Sequence, residues 1–141
     1  MEILNQTRVE FLTESVVESI NNIWKVNHIE SNSILDTFPK AFIQTGKRYY
    51  KIMVCEVKTS DEDYCGRNHG RVFMFVDKET GAVYKPASLK APAKGIRFYI
   101  ESLSENPEIC DQFGSFLYRR WYNVGGLITL LFLLVTSKRP L

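Results

Sequence analysis

Between Ala82 and Arg97 the chain carries four cations and no acid: Lys85, Lys90, Lys94 and Arg97, spaced by five, four and three residues. If Ala91 to Arg97 is helical, Lys90, Lys94 and Arg97 share one face at i, i+4 and i+7. The residues between them are small (Ala87, Ser88, Ala91, Ala93, Gly95), so a ligand can approach the backbone closely. That combination suits phosphate, to which lysine offers a point charge and arginine two parallel donors. Tyr84, just upstream, adds an aromatic face on which a base can stack. The expected partner is therefore nucleic acid or another phosphate-bearing ligand. The plainer alternative is a solvated basic rim shaped by Pro86 and Pro92.

Other reactive residues assemble less well. Cys65 and His69 flank a glycine-rich turn, Cys65-Gly66-Arg67-Asn68-His69-Gly70, and offer at most a thiol–imidazole pair or two metal ligands. A structural zinc takes four ligands, and His28, Cys55 and Cys110 show no ligand spacing. Thr45-Gly46-Lys47 lacks the upstream glycine and the following hydroxyl of a phosphate-binding P-loop. Asp61, Glu62 and Asp63 form a charged loop tip without the spacing of a calcium loop. The expectation is a protein that is not an enzyme and uses no cofactor or metal.

A chain of 141 residues is one domain by length, and 45% apolar with 24% charged residues is an ordinary globular balance. The net charge of +2 hides an asymmetry. Residues 1–45 hold three basic and six acidic side chains, whereas residues 46–100 hold eleven and six. Attraction for an anionic partner therefore belongs to the middle of the chain.

The elements that must position these residues begin with a helix. Val9, Leu12, Val16, Val17, Ile20, Ile23 and Trp24 recur at three and four, with Asn21-Asn22 weakening the end and Asn27-His28 terminating it. A short second helix is expected over Ser33 to Phe38, stopped by Pro39. Three strands follow: Tyr49 to Val57, Arg71 to Asp77 and Ala82 to Lys85. Thr59 to Gly70 reads as a surface loop between the first two. Asp77-Lys78-Glu79-Thr80-Gly81 is a hairpin turn, with an acid first and a glycine where φ must be positive. Ile96 to Leu103 fits either a helix or a fourth strand. Asn106-Pro107 then opens a helix whose inward residues are Ile109, Phe113, Phe116, Leu117 and Trp121. The fold class is α+β: a small three- to four-stranded antiparallel sheet packed against an N-terminal and a C-terminal helix. Residues 1–126 form that single domain.

Leu127 to Thr136 is an uninterrupted apolar run ahead of Ser137-Lys138-Arg139-Pro140-Leu141. It is shorter than the roughly 20 residues of a bilayer span. Residues 127–141 are expected to be a buried element, an interface for a host or virion protein, or a short membrane anchor. Three cysteines without a CxxC pair, and a polar acidic N-terminus, favour a reducing compartment over secretion.

"FVDKETGAVYKPASLKAPAKGIR", Phe75 to Arg97, resembles a pattern in small uncharacterised proteins of tailed bacteriophages and environmental viral genomes. There a strand ending in Val-Asp-Lys is followed by a Thr-Gly turn, Tyr-Lys-Pro-Ala-Ser and Pro-Ala-Lys-Gly. The flanks "GKRYYKI", Gly46 to Ile52, and "FGSFLY", Phe113 to Tyr118, are similar too, so the resemblance covers residues 46–118. Leu89 stands where the pattern has a large aromatic, and the tail from Leu127 is additional. The resemblance implies a compact α+β domain of viral origin and carries no established activity; with the reducing compartment that the cysteines favour, the expected location is the host cytoplasm. The function expected is that of a viral accessory protein binding nucleic acid or phosphate; the alternative is a structural or host-interaction protein using its tail, and the third an enzyme built around Cys65 and His69.

Overall fold

The computed structural model describes residues 2–32, 34–65 and 70–118. Helix α1 runs over Glu2–Glu30. Of its apolar stripe, Val9, Val16, Val17, Ile20 and Trp24 are buried. Thr13 is fully buried on the same stripe, and its hydroxyl donates to the carbonyl of Val9 at 2.7 Å, so no polar group is left unmet there. The helix continues past Asn27-His28 and ends where Asn32 turns left-handed at φ 52°.

Strand β1 occupies Thr37–Thr45, and β2 Tyr49–Lys58. The expected short helix over Ser33 to Phe38 is therefore absent from the described residues, and Pro39 lies inside a strand. The reason is position. Strand β1 is an edge strand paired only with β2, Pro39 opposite Glu56, and on an edge a missing N–H costs no ladder bond. The supposed loop 59–70 holds a further strand, β3 (Asp61–Cys65), which pairs with the far end of β2. Strands β4 (Arg71–Asp77) and β5 (Ala82–Tyr84) form the expected hairpin. Both readings of Ile96 to Leu103 hold in succession, as β6 (Phe98–Tyr99) passes directly into α2 (Ile100–Glu105).

The result is an antiparallel sheet in the order β1-β2-β4-β5-β6, with β3 beside β2. It has more strands than the three or four expected. The class itself is as read: α+β, with an N-terminal helix and a short helix after the sheet. A register shift opposite Ile52 and Met53 makes Phe73 an extra residue of β4. Both Phe73 and Met74 thereby reach the core, Phe73 edge-on to Trp24 at 5.5 Å.

The main core lies between α1, one face of the sheet and α2, with Ile20, Ile52, Val54, Met74, Val76, Ile100 and Leu103 fully buried. The helix expected from Pro107 is instead two 3-10 turns, Pro107–Ile109 and Ser115–Tyr118. Asn106 makes no side-chain cap, and Gly114 breaks the path at φ 75°. Phe116 and Leu117 are buried as expected, but Phe113 is 78% exposed, and Trp121 lies outside the described residues.

Candidate functional site

The hairpin turn is built from Asp77. Its Oδ1 accepts the N–H groups of Glu79 (2.8 Å) and Thr80 (3.1 Å), and its carbonyl accepts that of Gly81 at 2.9 Å. Oδ2 faces Arg48 Nε at 3.6 Å, which fixes the turn between β1 and β2 relative to the turn between β4 and β5. Lys78 N–H adds a backbone bond to the carbonyl of Arg48.

Beyond Tyr84 the chain forms an irregular extension of the β5–β6 hairpin, not the expected helix over Ala91 to Arg97. Its base is closed by Ala93 N–H to the Lys85 carbonyl (2.8 Å) and Arg97 N–H to the Val83 carbonyl (2.7 Å), with Pro86 bridged to Pro92. At its tip the Ala91 carbonyl accepts from Ala87 and Ser88, while Ser88 Oγ accepts from Lys90 and Ala91. Lys90 thus projects from a turn held by its own backbone bonds.

That tip meets the β1–β2 turn. Lys90 lines a cleft of ≈ 420 Å³ together with Lys47, Arg48 and Lys51, over a floor that includes Tyr49 and Phe75. Lys51 sits opposite Phe75 in the β2–β4 register, its ammonium 5.7 Å from the ring centre. Arg48 lies over Tyr49 at 5.3 Å. Tyr49 in turn meets Phe75 and Tyr84 edge-on at 5.7 and 6.1 Å. Of the four cations only Arg48 is ion-paired among the described residues, and it remains 72% exposed.

The five residues expected to form the site are therefore divided. Lys90 stands in the cleft. Lys94 is exposed outside it. Lys85 is half-buried, with its ammonium 4.6 Å from the ring centre of Tyr118. Arg97 is half-buried at the base of the extension. Tyr84 is half-buried against Tyr49, its hydroxyl pushed to higher pKa by burial and then by Asp77; it supports the floor of the cleft. Lys47, Arg48 and Lys51 were not anticipated. Their signal was present in Gly46-Lys47-Arg48-Tyr49-Tyr50-Lys51, three cations around a turn with Tyr49 and Lys51 on one strand face.

The model of DUF7717, a family of unknown function, matches residues 2–119. The chain belongs to that family. No curated protein and no solved structure matches it.

A second, wider groove of ≈ 750 Å³ runs between the end of α1, β1 and the first 3-10 turn, past Trp24, His28, Leu35 and Phe113. Two of its acids have internal partners: Glu56 faces Arg71 at 3.8 Å, and Asp111 accepts from Ser115 and Phe116. Among the described residues no group of three or more His, Cys, Asp or Glu side chains is placed to hold a metal, and no helix is long and apolar enough to cross a membrane. His69 and the tail 127–141, on which the thiol–imidazole and interface readings rested, lie outside the described residues.

Proposed function

We propose that this protein is a non-enzymatic binder of phosphate-bearing polyanions, nucleic acid first, and that it serves as a viral accessory protein as the resemblance of residues 46–118 implies. The observation that supports this is the convergence of Lys47, Arg48, Lys51 and Lys90 on one cleft. Four cations within one concavity raise the local anion concentration well above what a net charge of +2 would do. The carboxylate of Asp77 orients Arg48 while leaving its guanidinium largely open to solvent. The aromatic floor is occupied by its own edge contacts, so the cleft grips the backbone of a nucleic acid, and base identity matters little.

Binding of labelled single-stranded and double-stranded oligonucleotides across a salt titration tests this reading. Affinity is expected to fall steeply with salt as condensed cations are displaced from phosphate. The Lys90→Glu and Lys47→Glu/Lys51→Glu variants are expected to bind roughly tenfold or more weakly, with a shallower salt slope and no change of sequence preference. Lys94→Glu is expected to do less. Binding that ignores salt, or is equal in all the variants, would sink the proposal.

A further inference from the structure

Cys55 lies on β2 two residues before Val57, and Cys65 ends β3 directly opposite Val57. The two cysteines are thus diagonal neighbours across the β2–β3 pair, and their side chains pack in one small cluster with Phe38, Phe42 and Val57. Neither is in a disulfide, and the Cys65 side chain is close enough to act on the Cys55 thiol. Cys55 is buried and Cys65 half-exposed, so one sulfur is open to a small reagent and the other is held behind it. Diagonal pairs stand about 7–8 Å apart at Cα, slightly wider than a disulfide spans. Joining them therefore takes a shift of the backbone at the end of β3, of which Cys65 is the last residue.

We propose that Cys55 and Cys65 are a dithiol site that hydroperoxides oxidise reversibly to a disulfide clipping β3 to β2. The Cys65 sulfur, as thiolate, attacks the peroxide oxygen; the O–O bond breaks, hydroxide leaves and Cys65 becomes a sulfenic acid. Cys55 then attacks that sulfur, the S–O bond breaks and water departs, taking up the proton of the Cys55 thiol. Two thiols and one hydrogen peroxide thus give one disulfide and two waters. Burial first, then Cys65 and Glu56, push the Cys55 thiol up to about 12, only partly offset by Lys40 opposite it in β1, so Cys55 enters the second step as the protonated thiol.

Intact-mass and differential-alkylation measurements on the full chain across a hydrogen peroxide titration test the site. Cys55 and Cys65 are expected to become protected together with the loss of two hydrogens. Cys110 should stay reduced, and dithiothreitol should restore both thiols. In Cys55→Ala, Cys65 is expected to stop at sulfenic acid and to be trapped by a cyclic dione. Wild-type Cys65 advancing to sulfinic acid while Cys55 stays free, or the two being protected independently, would overturn the proposal; this readout needs only the unmutated protein.

Discussion

At the scale of single residues, Asn21 carries more of the architecture than its place on a helix suggests. Its amide donates to the Ala41 carbonyl at 2.9 Å and its Oδ1 accepts the Ala41 N–H at 2.7 Å. Those are backbone groups that β1, as an edge strand, turns away from β2, so one side chain both docks α1 on the sheet and closes the edge to other strands. Asn21→Ala is expected to cost about 1–3 kcal/mol in urea denaturation, the penalty of two polar groups losing their partner in a partly buried place. Asn21→Asp should cost at least as much, because its carboxylate would face the Ala41 carbonyl. Cys110 makes a second residue-scale case. Burial first, then Asp111 and Glu108, push its thiol up to about 12. A thiol whose folded pKa is raised contributes stability that is complete below the unfolded value and is lost as pH rises towards the folded one. Between pH 8 and pH 10 the wild type is therefore expected to lose about 1–2 kcal/mol that Cys110→Ala does not lose, measured as the difference between their denaturation free energies at the two pH values.

At the scale of elements, the turn between β4 and β5 governs how α2 is placed. Gly81 adopts φ 76°, its carbonyl accepts the N–H of Ile100 at 2.8 Å, and an added Cβ would stand 3.1 Å from Ile100 Cγ2. Gly81→Ala is expected to lower stability by about 1–3 kcal/mol, from the left-handed backbone and the forced shift of a fully buried side chain. The midpoint of denaturation should fall with an unchanged denaturant slope, since the unfolded chain exposes the same surface. This turn was legible beforehand because all its determinants lie within five residues: an acid that accepts N–H bonds, and a glycine where φ is positive. Strand β1 was not, because Pro39 is harmless only on a sheet edge, and edge position is a property of the assembled sheet. The 3-10 turns after Asn106 replaced the expected helix for a related reason: that segment follows its burial of Phe116 and Leu117, and Trp24 Nε1 bonding to the Cys110 carbonyl at 3.0 Å, more than its local cap signal. The cleft was half legible. Charge counting could choose Lys90, but the meeting of a loop tip with a turn some forty residues earlier depends on how β2, β4 and β5 lie side by side.

At the scale of the whole molecule, charge is segregated by the two faces of the sheet. Helix α1, whose exposed Glu10, Glu14, Glu18 and Glu30 outnumber its exposed Arg8 and Lys25, covers the face that presents Ile52 and Val54, while Lys51 and Phe75 belong to the opposite face and to the cleft. An anion is thus repelled from one side and drawn to the other, which orients the encounter before contact. Net charge and local charge can be separated by truncation. The family match ends at residue 119, and the described core uses no residue beyond 118. A chain of residues 1–119 keeps every acid of the sequence but loses Arg120, Lys138 and Arg139, leaving fifteen basic against sixteen acidic side chains. It is expected to melt cooperatively, whereas a chain of residues 1–114 should not, having lost Phe116 and Leu117, whose burial is worth about 1.5–3 kcal/mol each. If the cleft is the site, the 1–119 protein binds oligonucleotide within about threefold of the full chain despite its net negative charge, and Lys90→Glu still abolishes most of that binding. If overall charge or the basic tail is what holds the ligand, affinity should collapse on truncation and the Lys90 substitution should add little. Fluorescence anisotropy of the two lengths, each with and without the substitution at one low salt concentration, distinguishes a built site from a merely basic protein.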